Sequence, residues 1–208
     1  MSEIAKRITA VVDEGLSSLL KKEGFRKRGI NYYRTDGDAM QVVTVLSSQG
    51  NFGDSGRFQV NFGVHFPAVA KVLDGSDPMP EFPREPYCIL RAIWSFPNRW
   101  WTVDPTTDVP MIADKLRAYW QEVVWPWLET NKSLPEAAAT LESQLVGQMA
   151  AAAARLVLGE RNEAARLVRA CIAGLESSLE TAHPAYYLEI QTAQLQKVRE
   201  WAADHQLL

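Results

Sequence analysis

The chain is poor in the side chains that most metal and redox chemistry requires. It carries two cysteines, Cys88 and Cys171, and three histidines, His65, His183 and His205, in 208 residues. None of them fall at the close spacings of a zinc site or a disulfide framework, so neither a metal nor a cofactor is expected. Positive charge is not in excess: 22 Lys and Arg stand against 25 Asp and Glu, a formal net charge of −3. A phosphate backbone would meet no broad basic field, and nucleic acid is not an expected partner. Long apolar runs are also missing. The best candidate, "LVGQMAAAAARLVLG", is short for a bilayer and is interrupted by Arg155. The opening "MSEIAKRITAVVDEGLSSLLKKEG" has Asp13 and Glu14 at its centre, where a secretory signal would be apolar. The expectation is a cytoplasmic protein without membrane association. Phosphate-binding loops, dinucleotide-binding glycine motifs, zinc-protease helices and nucleophile elbows are absent too. That removes each specific enzyme class without deciding whether the chain catalyses anything.

What is present is a composition able to build one or two cores, at 47% hydrophobic and 23% charged. Residues 3–22 repeat Ile4, Ile8, Val11, Val12, Leu16, Leu19 and Leu20 at helical spacing, with Ser2 as N-cap and Gly24 as the left-handed residue that ends the helix. The period then changes to two. "INYYRTD" and "MQVVTVLSSQ" read as a hairpin around Gly37, and "FQVNFGVHF" as a third strand after the glycine-rich "GNFGDSG". Residues 67–86 contain five prolines and read as loop with a helical turn at 68–73. "YCILRAIWSF" supplies a fourth strand. A helix over 109–130 follows, capped by Asp108 and kinked or tightened by Pro126. From "SLPE", a capping-box pattern at Ser133 and Glu136, three helices are expected at 134–158, 161–176 and 184–204. The predicted fold is α+β: a four-stranded, mainly antiparallel sheet packed on helices in residues 1–131, and a three-helix extension in 132–208 docked on it through an alanine-rich face.

The ordered segments "GFRKRGINYYR", "MQVVTVLSSQ", "FQVNFGVHF", "YCILRAI" with "RWWTV", and a helix ending "WPWLE" resemble the bacterial family known as domain of unknown function 4304, over about residues 5–130. The resemblance implies an α+β fold with an antiparallel sheet. It carries no catalytic residues; some small bacterial domains of this kind are immunity or accessory partners. Residues 158–174, with Gly159, Ala164, Ala165 and Ala170, look like part of a tetratricopeptide unit. Stable solenoids need about three repeats, so the single copy reads as a packed helical hairpin.

The site candidates lie on the sheet and the loop after it. In "SGRFQVNFGVHF", Phe58, Val60, Phe62, Val64 and Phe66 mark an oily face, while Gln59, Asn61, Gly63 and His65 mark a polar face expected to be wet. Gly63 reads as a bulge in preference to a place where a ligand approaches closely. Arg91, in an apolar strand, needs a carboxylate or a cleft rim; Arg34 poses the same question. Cys88 reads as a buried small hydrophobe on the strand face opposite Arg91. Arg99, Trp100 and Trp101 combine a planar cation with large rings, the residue types that dominate interface energetics, and one of the two tryptophans should instead anchor the loop. Two functions follow. One is a non-enzymatic module binding a protein partner or a small ligand through Arg99, Trp100, Trp101, Asn61, His65 and Arg91. The alternative is an enzyme of unassigned class with a cleft near His65 and Arg91.

Overall fold

A computed structural model describes residues 2–75, 80–94, 100–144, 146–181 and 184–208. The chain divides into two compact units, one of residues 1–67 and 78–133, the other of residues 68–77 and 134–208.

The first unit is an antiparallel sheet of six strands: β1 (Arg26–Arg28), β2 (Asn31–Asp36), β3 (Ala39–Ser47), β4 (Gly56–His65), β5 (Leu90–Arg91) and β6 (Trp101–Val103). The order is β1-β2-β3-β4-β5, and β6 also pairs with β4, at its other end. The expectation of four strands is therefore corrected to six, for two reasons. β1 is made of "RKR", all exposed, and has no apolar alternation to signal a strand. The expected fourth strand is interrupted by 3-10 turns at Glu85–Tyr87 and Ala92–Trp94, which leave only Leu90 and Arg91 paired. The two tight hairpins each place a glycine of positive φ, Gly29 at +63° and Gly37 at +60°, first of two loop residues, the position a type II′ turn reserves for glycine.

Two helices cover the oily face. α1 occupies 3–22 and α3 occupies 109–130. Each is interrupted by one wide π-helical turn, Asp13–Ser17 in α1 and Trp120–Val124 in α3. The Ser2 hydroxyl accepts from the Ala5 amide at 3.2 Å, and the Asp108 carboxylate from the Met111 amide at 3.0 Å, so both N-caps form. Pro126 widens α3 rather than tightening it. Its ring crowds the carbonyl four residues back, and the preceding turn opens so that the Trp125 amide reaches Trp120 O. The helices cross closely at Gly15, where a Cβ would lie 3.1 Å from the Ala113 carbonyl oxygen and 3.3 Å from Leu116 Cβ. Phe62 meets Trp127 edge-on at 5.2 Å. At the rim of this face Arg34 donates to Gln41 Oε1 (2.6 Å), the Glu23 carbonyl (2.9 Å) and Glu129 Oε1 (2.7 Å), and its guanidinium lies 4.7 Å from the Trp125 ring centroid. Gln41, fully buried, donates on to the Leu128 carbonyl at 2.6 Å. The mid-strand arginine is thus a clamp between β2, β3 and the ends of both helices.

The other face is not wet. Gln59 and His65 are 4% and 1% exposed, and Thr44 and Val42 beside them are buried. The segment 80–91 covers this face: Phe82 stands edge-on to Tyr33 at 4.8 Å, and the Glu85 amide donates to Thr44 Oγ1 at 2.9 Å. Strand alternation records which side chains share a face, and it says nothing of whether a later loop folds over them.

The second unit holds α2 (Pro67–Asp74, of which Pro67 belongs to the first unit), α4 (Leu134–Ser143), α5 (Gln148–Val157), α6 (Arg161–Leu179) and α7 (Ala185–Asp204). The single helix expected over 134–158 is two, because the chain turns at Gly147, where a Cβ would lie 2.6 Å from the Leu141 carbonyl oxygen. The Ser133 hydroxyl, buried, finds no hydrogen-bond partner among the described residues, so the capping box is not made through it. Ala151, Ala152, Ala153 and Ala154 are all fully buried. Four consecutive residues span every side of a helix, so α5 is enclosed all round. The Trp201 indole donates to the Val72 carbonyl at 3.0 Å and ties α7 to α2. No helix among the described residues is long and apolar enough to cross a membrane.

Candidate functional site

The expected contact residues separate into two places. The first is the rim where β4 pairs with β6. Phe58 stands opposite Trp101 and Arg57 opposite Thr102. Successive residues of β6 point to opposite faces, which splits the tryptophan pair. Trp101 is 5% exposed and meets Tyr119 at 6.0 Å, the anchor; Trp100 is 39% exposed. The Arg57 guanidinium lies over the Trp100 ring, 4.6 Å from its centroid. Arg99 lies outside the described residues.

The loop "GNFGDSG" braces this rim. Asn51 behaves as a strand residue built from a side chain: its Oδ1 accepts from the Arg57 amide at 2.8 Å, and its Nδ2 donates to the Arg57 carbonyl at 3.1 Å and to Ser47 Oγ at 2.9 Å. Gly56 is required because a Cβ would fall 2.4 Å from Ile4 Cγ2. Between loop and strands opens a shallow cavity of about 240 Å³, lined by Gly50, Asn51, Ser55, Gly56, Arg57 and Thr102. Phe52 at the loop tip is 92% exposed, and Leu46, in line with Gln59 on the same sheet face as Arg57, is 47% exposed. Downstream, Asp104 accepts from the Thr106 amide and hydroxyl, both at 2.8 Å. Those bonds hold its carboxyl below the ordinary aspartate range and fix the exit of β6.

The second place is interior. Arg91 grips Glu85 with Nε to Oε1 at 2.6 Å and a second nitrogen to Oε2 at 3.2 Å, and Glu85 is 1% exposed. The carboxylate that an arginine in an apolar strand requires lies only six residues upstream in "EPYCILR". Cys88 is buried as expected, but not on the far side from Arg91: both come against β4 at Gly63, because the 3-10 turn breaks the alternation. A Cβ on Gly63 would meet Cys88 Cβ and the Leu90 carbonyl oxygen, each at 2.8 Å. The glycine therefore marks neither a bulge nor a ligand's approach: the ladder runs through it on both sides, and it makes room for the chain's own segment 88–90. Burial pushes the Cys88 thiol well above its usual range, and the Glu85 charge adds to this, so it is no thiolate nucleophile. His65 is enclosed at one end of this face and Asn61 is half-buried in the middle.

The structure thus keeps Trp100 at the surface, with Arg57 as its partner, and takes His65, Arg91 and Trp101 into or against the core. Nothing in the sequence marks Arg57 and Asn51, because an Asn six residues before an Arg carries no signal. Chemically, the rim offers a cation on an aromatic plane, an amide and hydroxyls. Among the described residues no three His, Cys, Asp or Glu side chains converge as metal ligands.

No curated protein and no solved structure matches the chain. A family model described as "Domain of unknown function (DUF4304)" matches residues 16–130. That stretch holds all six strands and α3, and it is more than half of the sequence, so the chain belongs to the DUF4304 family.

Proposed function

We propose that the protein is a non-enzymatic binding module that holds a protein partner against the rim formed by Arg57, Trp100, Thr102 and the 50–56 loop. One observation carries the reading: Trp100 stays 39% exposed while capped by the Arg57 guanidinium at 4.6 Å. A large ring fixed in orientation and left open to solvent supplies contact area at little further entropic cost, which is why Trp and Arg concentrate binding energy. Phe52 in the 50–56 loop and Leu46 on β3 are exposed apolar side chains of the same unit, and Arg99 adjoins Trp100 in sequence. An immunity or accessory role would be one form of such binding. The enzyme alternative draws less support, since His65 is 1% exposed and the Arg91 fork is spent on Glu85. The test is capture of partners from native lysate by the wild type and by Arg57→Ala and Trp100→Ala. Both variants should lose a partner that the wild type retains while their melting temperatures stay within about 2 °C of it, as for surface substitutions. Undiminished capture by both would refute the assignment of this rim.

A further inference from the structure

The opposite end of the sheet presents an edge of different chemistry. β1 is the terminal strand, it is exposed along its whole length, and its outer side pairs with no strand among the described residues. Its side chains are Arg26, Lys27 and Arg28, and Lys21 and Lys22 lie in the last turn of α1 just before it. Only Lys27 is neutralised, by Asp13. Lys21, Lys22, Arg26 and Arg28 enter no ion pair among the described residues. The register places Arg26 opposite Tyr33 and Arg28 opposite Asn31, so both arginines project to one face, two residues apart. Arg28 also lies 5.9 Å from the Phe82 ring centroid, and Phe82 packs edge-on against Tyr33, which gives the cations an aromatic floor. In a chain of net charge −3 this is a local concentration of unspent positive charge.

We propose that the outer edge of β1 is a docking strand for an extended acidic segment of a partner protein, which adds to the sheet and places a carboxylate at every second position against Arg26 and Arg28. An open strand edge supplies backbone donors and acceptors at peptide spacing. A carboxylate at every second position matches the two-residue repeat of the arginines. Nucleic acid would use the charge alone. Four cations make a narrow footprint for it, and its backbone cannot pair with a strand edge. The site is separate from the Arg57–Trp100 rim, and either can fail without the other.

The test uses the full chain and fluorescence anisotropy with three probes: an alternating Ser-Glu peptide, an alternating Pro-Glu peptide of equal charge, and a single-stranded oligonucleotide of equal charge. Proline removes the alternate N–H groups that pairing needs and keeps the charge. The Ser-Glu peptide should bind. The Pro-Glu peptide and the oligonucleotide should bind at least about tenfold more weakly, the factor that backbone pairing adds to exposed ion pairs of modest individual strength. Arg26→Glu/Arg28→Glu should abolish the Ser-Glu signal with unchanged far-UV circular dichroism, and Arg26→Lys/Arg28→Lys should retain part of it. The proposal is overturned by equal binding of the two peptides, by preference for the oligonucleotide, by a double-glutamate variant that still binds, or by no binding of the Ser-Glu peptide at all.

Discussion

Gly63→Ala is the most direct probe of how the second sheet face is closed. A Cβ there would sit 2.8 Å from Cys88 Cβ, 2.8 Å from the Leu90 carbonyl oxygen and 3.1 Å from Cys88 Sγ. One obstacle is backbone of the paired strand β5, so the methyl group cannot be relieved by a rotamer change alone. Overpacking of this kind costs about 1–3 kcal/mol. Set against it is the roughly 0.5–1 kcal/mol that alanine gains over glycine through the unfolded chain. Gly63 has no positive φ, so no backbone strain enters. Two contacts at 2.8 Å, one of them with backbone, put the overpacking in the upper half of its range, so the balance is a loss of about 1–2.5 kcal/mol, or a drop of roughly 2–10 °C in melting temperature for a chain of this size. The internal control is Gly174→Ala in the middle of α6, where a Cβ meets nothing within 4 Å. It should stabilise by about 0.5–1 kcal/mol. Urea titrations and thermal melts of the two variants should therefore move in opposite directions. If Gly63→Ala is as stable as the wild type while Gly174→Ala behaves as expected, the packing of residues 85–91 on β4 described above is wrong.

Arg34→Met removes the clamp that serves Gln41, the Glu23 carbonyl and Glu129, leaves Gln41 buried and short of a partner, and should cost roughly 2–4 kcal/mol in urea denaturation; a midpoint unchanged from wild type would contradict the clamp. At Glu129 burial works to raise the pKa, but the hydrogen bonds from Lys132 and Arg34 overcome it and lower the value below 4.5. Its contribution to stability is then present above pH 4.5 and lost as pH falls through the lower folded-state value, so Glu129→Gln should flatten that part of the stability–pH curve, and an unaltered acid limb would count against the ion pairs. Iodoacetamide at mildly alkaline pH should label the half-exposed Cys171 well before Cys88, and rapid modification of Cys88 in the native protein would show that its pocket is open.

Much of the framework could be read from periodicity. The helical spacing of Ile4 to Leu20, the hairpin at Gly37 and the alternation from Phe58 to Phe66 all correspond to elements of the structure, because apolar residues that share a helix stripe or a strand face recur at that element's period, whether or not the opposite face is also covered. Three features had no such signature. β1 is a charged edge strand, recognisable only from its pairing with β2. The cover over Gln59 and His65 comes from a proline-rich segment whose local pattern reads as loop, and its docking depends on Glu85, Phe82 and Cys88 meeting Thr44, Tyr33 and Gly63, all well upstream in the chain. Arg57 became interesting only through Trp100, which β4–β6 pairing brings beside it. Long-range register decided all three, and a single sequence does not display it.

The helix Pro67–Asp74 bears on how the molecule can be made and cut. It leaves the translating ribosome right after β4, yet the tryptophan that holds its Val72 carbonyl is 129 residues further along the polypeptide. The Val72 carbonyl must wait for most of biosynthesis before the Trp201 indole reaches it, and a fragment stopped at Ser133 would lack that donor along with the rest of the helix's compact unit. The stretch that the family model matches, 16–130, contains this helix without the tryptophan that holds it. Excising that stretch by its boundaries would part the helix from the remainder of its compact unit, whereas a cut that follows the unit boundaries would keep the Val72 carbonyl with its indole donor.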